Sequence, residues 1–307
     1  MKIINVNEAY RSCFAGSVAT IGFFDGVHSG HRFLIQQLKQ IAADRGLLAS
    51  VVTFPFHPQL VLNPQLNLSL LTSWDEKMQL LSDAGTEVCF VTPFTIEFSC
   101  MDAESFIKNF LHEKLNVQHL LIGYDHRFGR NREAGFDEYL QYGTECGMAV
   151  SRAKELEGEH VSSTIIRRLL QAGCVEEANE MLSYNYVLEG EVIDGNKLGR
   201  TIGFPTANLR ILDGDKLIPG TGIYFTKVHL GDETFSGMAY IGSRPTVSDR
   251  GEQRVEVHIL GFDREIYGEV LRVEFVRFIR DDRTFGSLEE LKVQLEDDRK
   301  RVLNETC

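Results

Sequence analysis

Apolar and polar positions in the first half of the chain follow two alternating periods. Short continuous apolar runs, typical of buried strands, lie at residues 17–23, 49–54, 88–91 and 119–122. Between them, apolar residues three and four positions apart predict helices, as around Leu34 and Leu38 or Ile107 and Phe110. Ser73 followed by Glu76 predicts a capping box at the start of a further helix. Strands separated by helices of this length predict βαβ units and a parallel sheet with helices on both faces.

The pattern changes near residue 183. From there strands follow one another without intervening helices, at residues 187–193, 223–229, 235–241, 254–260 and 271–278. Gly231 and Asp232 predict a hairpin turn between two of them. A small antiparallel barrel or sandwich is expected, closed by a C-terminal helix that Ser287 and Glu290 would cap. We therefore predict two unlike domains, residues 1–183 and residues 184–307, joined through a short helical stretch.

Composition narrows the class of protein. The 307 residues are 43% hydrophobic and 25% charged, the proportions of a soluble globular protein of about two domains. The 32 basic and 44 acidic residues give a net charge of −12, which disfavours nucleic acid and anionic membranes as main partners. The six scattered cysteines, with no apolar signal segment and no long apolar run, predict a cytoplasmic protein without a disulfide framework.

The first chemical signal is a glycine-rich turn directly after the first predicted strand. Its members are Gly22, Phe24, Asp25, Gly26, His28, Gly30 and His31. Glycines there let the backbone approach a ligand closely, and the N-terminus of the following helix favours anions. Two imidazoles beside it can donate hydrogen bonds to phosphate oxygens and share charge that develops during phosphoryl transfer. From these residues alone, half of a metal site and a pair of locally hydrogen-bonded histidines stay open as alternatives.

Two later segments strengthen the phosphate interpretation. One runs from Gly123 to Arg132 and contains Asp125 and Arg127. In the other, Ser162, Ser163 and Thr164 precede a helical run with Arg167 one turn later, an arrangement suited to a triphosphate. An ordinary capped helix with a surface arginine is the alternative. No Walker A lysine pattern occurs, so a P-loop enzyme is excluded.

In this order the three segments resemble the motifs of the HIGH-type nucleotidyltransferases, and of the bacterial FAD synthetases among them. His126 stands where that family commonly has phenylalanine. The resemblance implies a Rossmann-like α/β domain that binds ATP. It also implies that His28 and His31 stabilise phosphates, and that nucleotide binding falls to Gly22, Phe24, Asp25, Gly26, Gly30, Asp125, Arg127, Ser163, Thr164 and Arg167.

The second chemical signal is a glycine-rich, basic loop joined to an unusual Pro-Thr-Ala-Asn run at residues 205–208. On an extended segment Thr206 and Asn208 point the same way, and both are hard oxygen ligands suited to Mg²⁺ that phosphates also hold. A turn and strand with local hydrogen bonds is the alternative reading of the four residues alone.

The longer run from Gly195 to Leu209 resembles the fingerprint of the riboflavin kinases, as do residues 222–224, 241–246 and 255–259. The resemblance implies that Gly199, Arg200 and Pro205 bind nucleotide, that Thr206 and Asn208 hold Mg²⁺ with ATP phosphates, and that Glu256 is the catalytic base. Gly261 departs from the family, which commonly has an acidic residue there.

Together the motifs resemble the prokaryotic bifunctional riboflavin kinase/FAD synthetase family over about residues 15–303. The resemblance implies phosphorylation of riboflavin to FMN by ATP, followed by adenylylation of FMN to FAD with release of pyrophosphate. Three alternatives stay open: a cytidylyltransferase or an inactive first domain, and a flavin-binding regulatory or storage protein without turnover. Nothing in the sequence indicates the oligomeric state.

Overall fold

A computed structural model describes residues 1–124, 128–130, 133–158, 160–195, 198–243 and 253–305. The chain forms two compact units, Met1–Leu68 with Thr72–Val161, and Ser69–Leu71 with Ser162–Cys307. The helical residues that follow residue 161 thus group with the second unit. The predicted domain boundary after residue 183 stays a prediction.

The first unit is an α/β domain. Its strands are β1 (Lys2–Asn5), β2 (Ser17–Ile21), β3 (Leu48–Thr53), β4 (Val88–Val91), β5 (Val117–Ile122) and β6 (Ala149–Arg152). Its helices are α1 (Ser29–Arg45), α2 (Pro58–Leu62), α3 (Trp74–Asp83), α4 (Ile96–Ser99), α5 (Ala103–Ser105) and α6 (Phe136–Cys146). A 3₁₀ turn, Asp25–Val27, precedes α1, and a π-helical stretch, Phe106–Lys114, continues α5.

The six strands form one sheet in the order β1-β4-β3-β2-β5-β6, and every adjacent pair is parallel. The predicted parallel sheet is therefore confirmed. The sequence pattern had not indicated the edge strands β1 and β6, whose residues are mostly half-buried or exposed. The central strands β2 and β4 are buried along their whole length, which explains why continuous apolar runs revealed them.

Two apolar clusters cover the faces of this sheet. One contains Phe90, Phe106, Phe110 and Tyr139, and the other packs Leu38 and its neighbours on α1 against β3 and β4. Helix α3 begins at the predicted capping box. Glu76 N donates to Ser73 Oγ at 3.3 Å and Ser73 N donates to a Glu76 carboxylate oxygen at 2.9 Å.

The second unit combines helices with a barrel. Its helices are α7 (Ser163–Gln171), α8 (Val175–Leu182), α9 (Leu198–Thr201) and α10 (Leu288–Glu305). Its strands are β7 (Tyr186–Ile193), β8 (Ala207–Ile211), β9 (Gly222–Leu230), β10 (Glu233–Ser243), β11 (Gln253–Ile259) and β12 (Val270–Arg280).

The barrel is closed and antiparallel, in the order β10-β11-β8-β7-β12-β9. The predicted turn at Gly231 and Asp232 joins β9 to β10, with Gly231 at a φ of 57°. At the start of α10, Glu290 N donates to Ser287 Oγ at 3.2 Å. The Glu290 carboxylate accepts from Gly286 N at 3.0 Å, so only half of the predicted box forms at Ser287.

Helix α8 is joined to the barrel by specific hydrogen bonds. Asn179 on α8 donates to Phe275 O at 2.8 Å and accepts from Tyr186 N at 2.8 Å. The Glu176 carboxylate accepts from Phe278 N at 3.2 Å. In the described part of the chain, no helix has the length and apolarity to cross a membrane.

Candidate functional site

The glycine-rich turn of the first unit lies where β2 ends, at the carboxyl edge of the parallel sheet. Phe24 and Val27 both have positive φ, 57° and 36°, a conformation that is costly for a β-branched valine. A Cβ at Gly22 would lie 3.0 Å from the Phe24 ring, so a glycine lets the chain fold back there. The turn is thus held in a sharply bent, strained conformation, as is common where backbone approaches a ligand.

Asp25 anchors this turn. Its side chain is 3% exposed, and Oδ1 accepts from Thr72 N at 3.3 Å and from Thr72 Oγ1 at 3.4 Å. Gly26 N donates to the same threonine hydroxyl at 3.3 Å. These bonds fix the position from which the 3₁₀ turn leads into α1. A contact of Asp25 or Gly26 with nucleotide stays a prediction.

His28 and His31 come together at the N-terminus of α1. Their rings stack with centroids 3.7 Å apart and an interplanar angle of 18°. His28 is the N-cap, and its Nδ1 accepts from His31 N at 3.4 Å. Gly30 leaves room for this pair, because a Cβ there would lie 3.3 Å from the His28 ring.

Burial and, to a smaller extent, the nearby His160 lower the pKa of His28 to about 4. His28 is therefore neutral at pH 7. Because Nδ1 accepts the cap hydrogen bond, the proton lies on Nε2, which is a donor. The pair thus offers a neutral hydrogen-bond donor at a helix N-terminus, the surroundings in which phosphate oxygens bind.

Five other predicted nucleotide-binding residues lie either outside the described residues or in the second unit. Asp125 and Arg127 lie outside the described residues. Ser163, Thr164 and Arg167 open α7 in the second unit, where Ser162 is the N-cap and accepts from Ile165 N at 3.4 Å. Arg167 Nε donates to Ser69 O at 2.8 Å within that unit.

In the second unit, the fold brings the three predicted kinase residues together. Asn208 on β8 and Glu256 on β11 are directly paired across the two strands. Thr206 Oγ1, just before β8, donates to Glu256 Oε2 at 2.8 Å. The two candidate metal ligands and the candidate base therefore form one cluster, although the base follows the two ligands by 48 and 50 positions along the chain.

The run before β8 is held by neighbouring groups. His258 Nδ1 donates to Pro205 O at 2.7 Å, and its ring packs on Phe204 with centroids 5.1 Å apart. Burial lowers the pKa of His258, which favours the neutral form of this donor. The histidine of the predicted 255–259 segment thus fixes the backbone beside Thr206.

Two glycines make room for the cluster. A Cβ on Gly195 would overlap the Asn208 amide, and a Cβ on Gly199 would overlap Phe204 O. Arg200 donates to the Tyr267 hydroxyl at 3.3 Å and lies 3.8 Å from a Glu265 carboxylate oxygen. These two contacts tie Arg200 to the 265–267 segment, and a role in nucleotide binding stays a prediction for Gly199, Arg200 and Pro205.

Two residues of this cluster were missed by the sequence analysis. Arg254 lies two positions before Glu256 and contacts both Glu256 and Asn208. Tyr240 is paired with Glu256 across β10 and β11, and its hydroxyl donates to Asp282 Oδ2 at 2.9 Å. Strand alternation places Arg254 on the face of Glu256, which was the available signal.

The donor set of the cluster suits a cation that phosphates share. Thr206 Oγ1 and Asn208 Oδ1 are hard oxygens with Glu256 beside them, as a hydrated Mg²⁺ with few protein ligands requires. Among the described residues, no group of three or more His, Cys, Asp or Glu side chains could hold a metal ion by itself.

Comparison with protein-family models assigns both parts of the chain. Residues 11–165 match the FAD synthetase model, and residues 182–305 match the riboflavin kinase model. Curated relatives match over nearly their whole length and are named bifunctional riboflavin kinase/FMN adenylyltransferase. The Listeria monocytogenes protein is 40% identical over 92% of this chain and 90% of its own. The Bacillus subtilis protein is 36% identical over 99% and 98%, and the Escherichia coli K12 protein 35% over 96% and 95%.

A solved structure also matches the whole chain. A Streptococcus pneumoniae protein, described as a macrolide-efflux protein, has a TM-score of 0.89 and 30% identity, covering 99% of both chains. Its description applies to that protein, whereas two family models and the curated relatives agree on a different activity. The motifs, the α/β unit with its parallel sheet, the closed barrel and these matches lead to one conclusion: the chain belongs to the bifunctional riboflavin kinase/FMN adenylyltransferase family.

Proposed function

We infer that the chain catalyses two successive reactions of flavin cofactor synthesis, and we assign each reaction to named residues. The riboflavin kinase unit transfers the γ-phosphoryl group of ATP to riboflavin, giving FMN and ADP. The FAD synthetase unit transfers the adenylyl group of a second ATP to FMN, giving FAD and pyrophosphate. The observation that carries this function is the tandem of two family-model matches, one for each unit.

In the kinase reaction we assign the base to Glu256. Its carboxylate would take the proton of the ribityl 5′-hydroxyl as that oxygen attacks the γ-phosphorus and ADP leaves. The hydrogen bond from Thr206 Oγ1 to Glu256 Oε2 and the cross-strand pairing with Asn208 support this assignment. Gly199, Arg200 and Pro205 are proposed to line the nucleotide position.

ATP-using enzymes of this kind need a divalent cation, and we propose Mg²⁺ held by Thr206 Oγ1 and Asn208 Oδ1 together with ATP phosphates. The cation would neutralise charge on the transferring phosphate. The room that Gly195 leaves beside the Asn208 amide supports this placement, since a side chain there would displace the ligand.

In the adenylyl transfer we assign charge stabilisation to His28 and His31. A phosphate oxygen of FMN attacks the α-phosphorus and pyrophosphate leaves, so negative charge grows on the leaving oxygens. The neutral His28 Nε2–H at the N-terminus of α1 can donate to them without the cost of a buried cation. Gly22, Phe24, Asp25, Gly26, Gly30, Asp125, Arg127, Ser163, Thr164 and Arg167 remain the proposed nucleotide-binding residues.

The assignment is tested by incubating the protein with riboflavin, ATP and Mg²⁺ and separating the flavins by chromatography. Glu256→Gln should slow formation of FMN by about 10²–10⁴-fold, because the base is lost, while conversion of added FMN to FAD continues. His28→Ala should slow FAD formation by about 10²–10³-fold and accumulate FMN.

Each variant is the control for the other, since both contain one intact site. A folded wild-type protein that makes neither FMN nor FAD would overturn the proposed function. Loss of both activities in one folded variant would contradict only the division of residues between the two reactions.

We also propose a cytoplasmic location, supported by free cysteines at each described cysteine position.

A further inference from the structure

The guanidinium of Arg254 contacts oxygen atoms of the proposed kinase site. Arg254 Nε lies 3.2 Å from Asn208 Oδ1, and a terminal nitrogen, Nη2, lies 3.1 Å from the same oxygen. Arg254 Nε also lies 2.7 Å from Glu256 Oε1. The side chains of Arg254 and Glu256 are 28% and 15% exposed, so the pair is partly withdrawn from water.

These contacts use the lone pairs that a metal would need. The amide oxygen of Asn208 is a proposed ligand, and a guanidinium that donates to it twice competes directly with a cation at that atom. The positive charge of Arg254 also repels a divalent cation placed beside Asn208. Binding of a cation with nucleotide therefore requires Arg254 to move away from Asn208.

An arginine–glutamate pair of the barrel can also lie away from the proposed ligands. Arg272 on β12, for example, pairs with Glu189 across the strands at 3.1 Å, with 45% of its side chain exposed. That pair touches no proposed ligand or base. Arg254 is distinguished by contacting a candidate ligand and the candidate base with one guanidinium.

We infer that Arg254 is a positioning residue that occupies the cation position of the resting kinase site and is displaced from Asn208 when the cation–nucleotide complex binds. This rests on the proposed kinase function of the second unit. With no cation bound, the guanidinium compensates the Glu256 charge and holds Asn208 and Glu256 near their working positions. It thereby lowers the affinity of the site for a divalent cation. It also keeps the Glu256 carboxylate paired until substrate binds and displaces the arginine.

The experiment measures Mn²⁺ binding to the full chain in the presence of ADP, using the electron paramagnetic resonance signal of free Mn²⁺. Both units can bind nucleotide, so the measured Mn²⁺ binding is expected to have two components. The component that is lost in Asn208→Ala is assigned to the kinase site. In Arg254→Met, with competition and repulsion gone, this component should bind Mn²⁺ roughly tenfold more tightly. Arg254→Gln should shift it in the same direction, and Arg254→Lys, which keeps the charge but loses the double donor, should shift it less.

Arg272→Met is the matched control, because it removes the same charge from an exposed pair and should leave Mn²⁺ affinity unchanged. The component of the first unit is a second, internal control. Unchanged or weaker Mn²⁺ binding in both Arg254→Met and Arg254→Gln, with circular dichroism as in the wild type, overturns the inference. Failure of the wild type to phosphorylate riboflavin would instead overturn the proposed function, and chromatography of the flavins separates the two results.

Discussion

At the scale of single residues, the first unit contains a buried cation next to its glycine-rich turn. Lys77 is 2% exposed, and its ammonium donates to Phe54 O at 3.0 Å. The same nitrogen lies 3.9 Å from the centre of the Phe23 ring and 4.9 Å from that of Trp74. Lys77 thus joins α3 to the glycine-rich turn and to the end of β3, and it interacts electrostatically with Asp25.

Burial lowers the pKa of Lys77 from 10.5 to about 8, with Asp25 and Cys89 opposing the shift. Between these two values the unfolded chain holds more protons than the folded one at this position. The Lys77 contribution to the free energy of unfolding is therefore least favourable below pH 8 and improves as the pH rises to 10.5.

We predict that the wild type gains about 2 kcal/mol relative to Lys77→Met between pH 8 and pH 10. Urea unfolding of both proteins at the two pH values measures the difference. Methionine has a similar length and does not titrate. Because all other groups titrate in both proteins, the difference between the two proteins isolates the titration of Lys77. A difference between wild type and variant that does not change with pH would contradict the shifted pKa.

Residue types alone indicated part of the kinase cluster. Thr206, Asn208 and Glu256 could be named from their motifs, because the residues next to each of them in sequence carry the pattern. Arg254 could not, since an arginine on a strand is ordinary, and its importance comes from the register that pairs Glu256 with Asn208.

At the scale of elements, the C-terminal helix α10 is tied to the barrel by a buried ion pair. Asp298 is fully buried, and both its carboxylate oxygens accept from Arg280 Nε of β12, at 3.1 and 3.0 Å. Another Arg280 nitrogen, Nη2, lies 2.8 Å from Asp298 Oδ2, and the arginine side chain is 14% exposed. This bidentate contact fixes the rotation of α10 on the barrel more specifically than apolar packing alone.

Asp298→Asn should lower the free energy of unfolding of the second unit by about 3 kcal/mol, because it leaves the Arg280 charge buried without its partner. Urea denaturation followed by circular dichroism measures the change. Asp297→Asn is the matched control on the same helix, where the pair with Arg301 is 53% and 52% exposed, and should cost less than about 1 kcal/mol. Equal losses in both variants would contradict the special role of the buried pair.

Elements were predicted best where local pattern and burial agree. Strands β2 and β4 were recognised because they are buried throughout, and α3 because its capping box is local. β8 was not recognised as a barrel strand, since its residues are half-buried or exposed except Leu209. Its hydrogen bonds go to the preceding strand β7 and to β11, and β11 lies far away in sequence.

At the scale of the whole molecule, the two proposed sites use separate sets of residues. The kinase cluster lies in the second unit, and the stacked histidines lie in the first. Glu256→Gln keeps His28 and His31, whereas His28→Ala keeps Thr206, Asn208 and Glu256. A mixture of the two variants therefore contains one intact copy of each site.

We predict that a mixture of Glu256→Gln and His28→Ala converts riboflavin to FAD, with a lag while FMN accumulates in solution. Neither variant alone should do so at a comparable rate. Chromatography of the flavins over time measures FMN and FAD together. If the mixture makes FMN without FAD, while Glu256→Gln alone adenylylates added FMN, the intermediate does not pass freely between molecules.

The sequence alone determined the two fold classes, the motifs and the residue types of both sites, because strand and helix periods and short motifs are local properties of the chain. The tertiary structure decided which residues meet. It paired Glu256 with Asn208, placed Arg254 against both, and stacked His28 on His31 in surroundings that hold the His28 pKa near 4. Such contacts depend on strand register, burial and desolvation, and these arise only when distant segments pack together.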